Sequence, residues 1–153
     1  MIQRIQSIYL FLAALFMGGL FFQSADIISI ETTAPSTLGD MVYLNDKVLD
    51  IYDQNILIAF TVVVVVFSLL ALFLFRNRKL QITLSRVAML VVLFFLIFSV
   101  YLSYADLAPY ISSVKITPHI GVFLPIVVII CLILAVKGIR KDDLLVKGMD
   151  RLR

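Results

Sequence analysis

Residues 56–75 read ILIAFTVVVVVFSLLALFLF, a run without charge, proline or glycine. In water its five consecutive valines, Val62 to Val66, would favour a strand, because β-branched side chains suit a pleated surface. Length decides otherwise. About 20 apolar residues at ~1.5 Å each make a helix that crosses a hydrocarbon core of ~30 Å. In lipid, moreover, a helix satisfies its own backbone groups and a lone strand does not. The stretch is predicted to be a transmembrane helix.

Runs of the same character occupy residues 5–22, 82–105 and 119–136. Hydrophobic residues make up 62% of the 153-residue chain and charged residues only 15%, whereas a soluble domain carries about 25% charged residues. The expected fold is an all-α integral membrane protein forming one domain over residues 1–153. It comprises an antiparallel bundle of four transmembrane helices, a small β-rich exterior loop at 23–55 and a C-terminal amphipathic tail at 137–153. The first run ends in Gln23-Ser24-Ala25, where a signal peptidase would prefer a small residue at the glutamine position. It is expected to stay as a helix. The single cysteine, Cys131, falls inside the fourth run and offers neither an internal disulfide nor a cysteine metal site.

Charge sets the orientation. Arg4 precedes the first run, Arg76, Arg78, Lys79 and Arg86 lie around the central turn, and Lys137, Arg140, Lys141, Lys147, Arg151 and Arg153 follow the fourth run. These are 11 of the 13 basic residues, leaving Lys47 and Lys115 elsewhere. Lysine and arginine accumulate on the cytoplasmic side of multi-pass proteins, so both termini and the central turn are predicted to be cytoplasmic. Arg4, Arg76, Arg78, Lys79, Arg86, Arg140, Lys141, Arg151 and Arg153 are candidates for contacts with anionic headgroups or a partner. A basic residue near such a surface contributes about 1 kcal/mol. The exterior loop carries Asp26, Glu31, Asp40, Asp46, Asp50 and Asp53 against Lys47, a net −5, which excludes nucleic-acid binding there.

Within that loop Ile27, Ile28 and Ile30 are β-prone, and Val42-Tyr43-Leu44 and Val48-Leu49 flank Asn45-Asp46-Lys47. This pattern predicts a hairpin with room for a third strand. So small a sheet cannot stand alone and should rest on helix ends or headgroups.

Helix-packing candidates are the small residues. Ala14 and Gly18 stand four apart on the first helix, Ser99 and Ser103 on the third, and Gly121 with Pro125 opens the fourth. Small residues let helix backbones approach in lipid; the Ala14/Gly18 face serves either packing within the chain or self-association. Pro125 removes the backbone bond to the Gly121 carbonyl and can kink the helix. Arg86 is expected to snorkel to the interface, with a pair to Asp142 or Asp143 as the alternative. Tyr101 and Tyr104 read as interfacial anchors, and His119 as a polar tip at the outer interface. Leu145, Met149 and Leu152 form an apolar stripe, so the tail is expected to lie on the inner leaflet or dock on a cytoplasmic partner.

Four ordered motifs carry a resemblance. They are Met1-Ile2-Gln3-Arg4-Ile5-Gln6, Arg76-Asn77-Arg78-Lys79-Leu80-Gln81, Gly121-Val122-Phe123-Leu124-Pro125-Ile126, and Gly138-Ile139-Arg140-Lys141-Asp142-Asp143-Leu144-Leu145-Val146 followed by Asp150-Arg151-Leu152-Arg153. Together they resemble a domain-of-unknown-function family of small four-helix inner-membrane proteins from Bacteroidota. The resemblance runs the length of the chain. It implies a bacterial inner membrane and this topology, and adds no activity.

No catalytic, cofactor or metal constellation emerges, since polar candidates are dispersed and no predicted helix centre carries Asp, Glu, Lys or His. The expected function is a non-catalytic inner-membrane scaffold or accessory subunit. It would act through lipids and a membrane-protein partner or second copy, without nucleic acid. The alternative is a small transporter or channel working as a homo-oligomer; coupled export commonly relies on an intramembrane carboxylate, and the four runs contain none.

Overall fold

The computed structural model describes residues 3–22, 25–32, 48–74, 77–108 and 114–150. The architecture is mostly helical. Helix α1 covers Gln3–Gly18 and runs into a 3₁₀ turn, Gly19–Phe21; α2 covers Asn55–Phe73, α3 Arg78–Leu107 and α4 Ile120–Asp150. Among the described residues three helices are long and apolar enough to cross a membrane, within Asn55–Phe73, Arg78–Ala105 and Ile120–Leu145. The first is shorter than the other three, with an apolar stretch of Ile5–Phe21 close to the expected 5–22, whose last three residues form the 3₁₀ turn.

The five valines are helical, as their setting demands. Between α2 and α3 the Leu74 amide bonds to the Leu70 carbonyl, the Asn77 amide to the Leu74 carbonyl, and the Asn77 side chain accepts from the Leu80 amide at 3.5 Å. The helices pack in a ring, α1 against α2 and α4, and α3 against α2 and α4.

Each helix turns a seam of alternating four- and three-residue steps to the interior. On α2 it is Leu57, Thr61, Val64, Ser68 and Ala71; on α3 it is Gln81, Ser85, Ala88, Val92, Phe95, Ser99 and Leu102. On α1 the same rhythm gives Gln6, Leu10, Ala13 and Met17 and continues to Leu20 in the 3₁₀ turn, and on α4 it gives Val128, Leu132, Ala135, Ile139 and Asp142. This 3.5-residue period is the one that keeps a seam facing its neighbours along slightly inclined helices. Small and polar residues share the seams with apolar ones, while Val62, Val66, Leu90, Phe94, Ile97 and Ile130 point outward and are exposed.

Two sequence expectations change. The sheet holds three strands in the order β2-β1-β3, with β1 Ile28–Thr32, β2 Val48–Leu49 and β3 Val114–Pro118. Strands β1 and β2 match the β-prone stretches; Val42-Tyr43-Leu44 lies outside the described residues. The third strand comes from the segment before α4, pairing Ser29 with Thr117 and Glu31 with Lys115 in antiparallel register. That pairing depends on helix packing that brings the segments preceding α2 and α4 to the same end of the helix ring.

The second change concerns the tail. It is not a separate surface helix: α4 continues unbroken from the apolar run to Asp150. Ile139 and Asp142 are buried on it, while Leu145 of the expected apolar stripe is exposed. The side chains of Met149 and Leu152 lie outside the described residues.

Candidate functional site

One end of the helix ring carries a buried polar contact built from three of the four motifs. Gln6 sits one turn into α1 and Asp142 six turns into α4, and the Gln6 amide donates to the Asp142 carboxylate. Both are nearly sealed, at 5% and 7% exposure. A buried carboxylate needs such a donor, since an unsatisfied one loses hydration without return. Arg78, in the first turn of α3, donates from Nη1 to the Asp142 backbone carbonyl at 3.2 Å. Three helices thus meet at one residue.

Gly138 explains why the contact fits. A Cβ there would stand 2.8 Å from Cγ of Gln6, so any other residue would force the Gln6 side chain to shift. Gln81 is also buried at this end of α3, and the Ser85 hydroxyl donates to its carbonyl at 2.8 Å. Around the cluster the surface is basic: Lys79, Arg86, Lys137, Arg140 and Lys141 are exposed. Arg86 points outward, and the Asp142 carboxylate faces Gln6 instead.

At the opposite end the sheet is locked to the helices. The amide of Gly121 donates to the Asp26 carbonyl at 2.9 Å and that of His119 to the Ile27 carbonyl at 3.1 Å. These bonds satisfy donors that a helix start otherwise leaves open. A Cβ on Gly121 would lie 2.4 Å from the Ala25 carbonyl oxygen, so the backbones approach too closely there for any side chain. The His119 ring bonds to the Ser29 hydroxyl at 2.7 Å, Nε2 to Oγ, on an exposed face. The Tyr52 hydroxyl donates to the Phe21 carbonyl at 2.9 Å, while Asp50 and Asp53 accept backbone amides in the turn before α2.

The other sequence candidates distribute as follows. Ala14 is buried. Gly18 is not pressed by a neighbouring helix: a Cβ there would meet nothing within 4 Å. Ser99 and Ser103 are buried, and their hydroxyls donate to the carbonyls of Phe95 and Ser99, each at 2.9 Å. Pro125 is buried within a continuous α4. Arg76, Arg151 and Arg153, and the side chain of Arg4, lie outside the described residues. Gln6, Gly138 and Asp142 were missed as site residues. The signal available in the sequence was the continuation of the α4 seam at three-residue distance from Ile139 to Asp142.

Among the described residues no cluster of His, Cys, Asp or Glu is placed to hold a metal ion. No curated protein and no solved structure matches the chain. A family model, described as a domain of unknown function, matches residues 2–152 and so takes in nearly all of the four motifs and both ends of the ring. The chain belongs to the DUF4293 family.

Proposed function

We propose that this protein is a multi-pass membrane scaffold or accessory subunit that works through protein and lipid contacts. In this reading all four helices cross, the basic end faces the cytoplasm of a bacterial inner membrane, and the sheet lies outside. The observation that carries it is the filled interior. Leu10, Met17, Leu57, Val64, Val92, Phe95, Val128 and Leu132 are fully buried between the helices. The hydroxyls of Thr61, Ser85, Ser99 and Ser103 are turned back onto their own helices. The interior of one chain is therefore occupied by packing groups, which favours a structural part over a transport path.

Helix α1 supports a fourth crossing despite its length. It meets α4 near Gly138 through Gln6 and near Leu124 through Gly19, and Ala25 and Asp26 continue the contact to Gly121. The span from Gly121 to Asp142 is about 30 Å at the helical rise, equal to a hydrocarbon core. Ile5, Ile8, Phe11 and Leu15 give α1 an exposed apolar side along that depth. Transport by a homo-oligomer would need a route between copies.

The deciding experiment is purification of the tagged protein from native membranes in mild detergent, read by mass spectrometry and native mass. A stoichiometric second protein supports the accessory-subunit reading. Proton-coupled flux by the purified protein in liposomes overturns it.

A further inference from the structure

Where α3 ends against the sheet, Val100, Ser103, Tyr104 and Leu107 of the helix and Ile28 and Ile116 of the strands enclose an open groove of about 230 Å³. We infer that this groove binds one acyl chain of a membrane phospholipid. The inference rests on the lipid-embedded reading of α3 given above and assigns it a specific site.

Three observations point to a lipid chain. The groove lining is apolar throughout, and the hydroxyl of Ser103, the one seam group with a short polar side chain there, is already donated to the Ser99 carbonyl at 2.9 Å. Apart from the Tyr104 hydroxyl, the described lining offers a polar ligand no free side-chain donor to orient it. The volume is below the ~300–1,000 Å³ of pockets that take cofactors or drug-sized molecules, whereas a thin flexible chain needs only a slot. Finally, the groove continues the outward stripe of a membrane-length helix, Leu90, Phe94, Ile97 and Val100, each exposed. Tyr101 and Tyr104 stand at the same level, and tyrosines at such depth mark the boundary between chains and headgroups. A chain moving along α3 from the bilayer therefore reaches the groove without leaving an apolar surface. The β1–β3 pair closes its far wall and would hold the chain beyond the level reached by bulk lipid.

The protein contains no tryptophan, so a groove-filling Trp is both plug and reporter. Full-length protein is reconstituted into vesicles of phosphatidylethanolamine and phosphatidylglycerol, extracted in mild detergent and weighed by native mass spectrometry. The wild type should retain one phospholipid per chain. Val100→Trp should lower the retained fraction several-fold, and Ile97→Trp, equally exposed at 65% but one turn outside the groove, should leave it unchanged. Should Val100→Trp fail to fold, Ile116→Trp plugs the same groove from the strand side. Equal retention in plugged and control variants overturns the inference, as does wild type that retains no lipid. A native mass of two chains that falls to one in the plugged variants would assign the groove to a second copy instead. Spin-label accessibility at Ile97 reads the lipid-embedded reading separately: a lipid-exposed Ile97 beside an empty groove overturns the acyl-chain site alone.

Discussion

The Gln6 side-chain amide on the first helix donates to the Asp142 carboxylate on the last, joining positions 136 residues apart. Both groups are buried, and each supplies the other with a hydrogen bond. The contact closes the helix ring at the basic end, much as the Gly121 amide on the Asp26 carbonyl closes it at the sheet end.

Removing both partners should therefore cost less than the sum of removing each alone. Gln6→Leu and Asp142→Ala are each expected to destabilise by about 1–3 kcal/mol, the penalty of an unsatisfied buried polar group. The double variant should fall short of the sum by a coupling of about 1 kcal/mol. Thermal retention of the folded species in detergent, measured for all four proteins, checks this. Strict additivity would mean the two side chains do not interact.

Glycine substitutions separate the two ends of the close approach from open positions. Gly121→Ala puts a methyl on the Ala25 carbonyl and should cost about 1–3 kcal/mol or more, as overpacking does. Gly18 has helical φ and ψ of −63° and −24° and open space around it. Gly18→Ala should thus stabilise by about 0.4–1 kcal/mol through the unfolded chain. Melting of the two variants side by side provides the comparison.

Two arginines close in sequence should behave differently. Arg78→Ala loses the bond to the Asp142 carbonyl and should destabilise by about 0.5–1.5 kcal/mol or somewhat more, given the charge on the donor. Arg86 is exposed, and Arg86→Ala should stay within about ±0.5 kcal/mol. Severe loss of folded protein in Arg86→Ala would reverse this assignment.

Ser68 is fully buried on the α2 seam and its hydroxyl finds no partner among the described residues. Its helical counterparts Ser85 and Ser99 donate to carbonyls four residues back. Ser68→Ala removes a desolvated group at little cost in volume and should be neutral or stabilising by up to about 1 kcal/mol. A clear loss of stability would reveal a partner for the hydroxyl.

Topology is testable through Cys131, which is buried and should label slowly. In a Cys131→Ser background, Glu31→Cys should react with an impermeant maleimide from outside intact spheroplasts, and Lys141→Cys only after the membrane is opened. The reverse pattern would invert the proposed orientation.

Hydrophobic runs, their lengths and the bias of basic residues made the helical class and its candidate spans legible, because the cost of unpaired backbone in lipid acts on each segment alone. The β-prone stretches at 28–32 and 48–49 were legible for the same local reason. The face each helix buries was not. In a chain this apolar, hydropathy barely distinguishes Val64, which is buried, from Val62 and Val66, which are not. The distinction emerges only when seams on four helices are set against one another. The third strand, the glycine that matters at 121 rather than 18, and the meeting of Gln6, Arg78 and Asp142 all arise from contacts between distant segments. Such contacts depend on which helices become neighbours, and that was decided by packing in three dimensions.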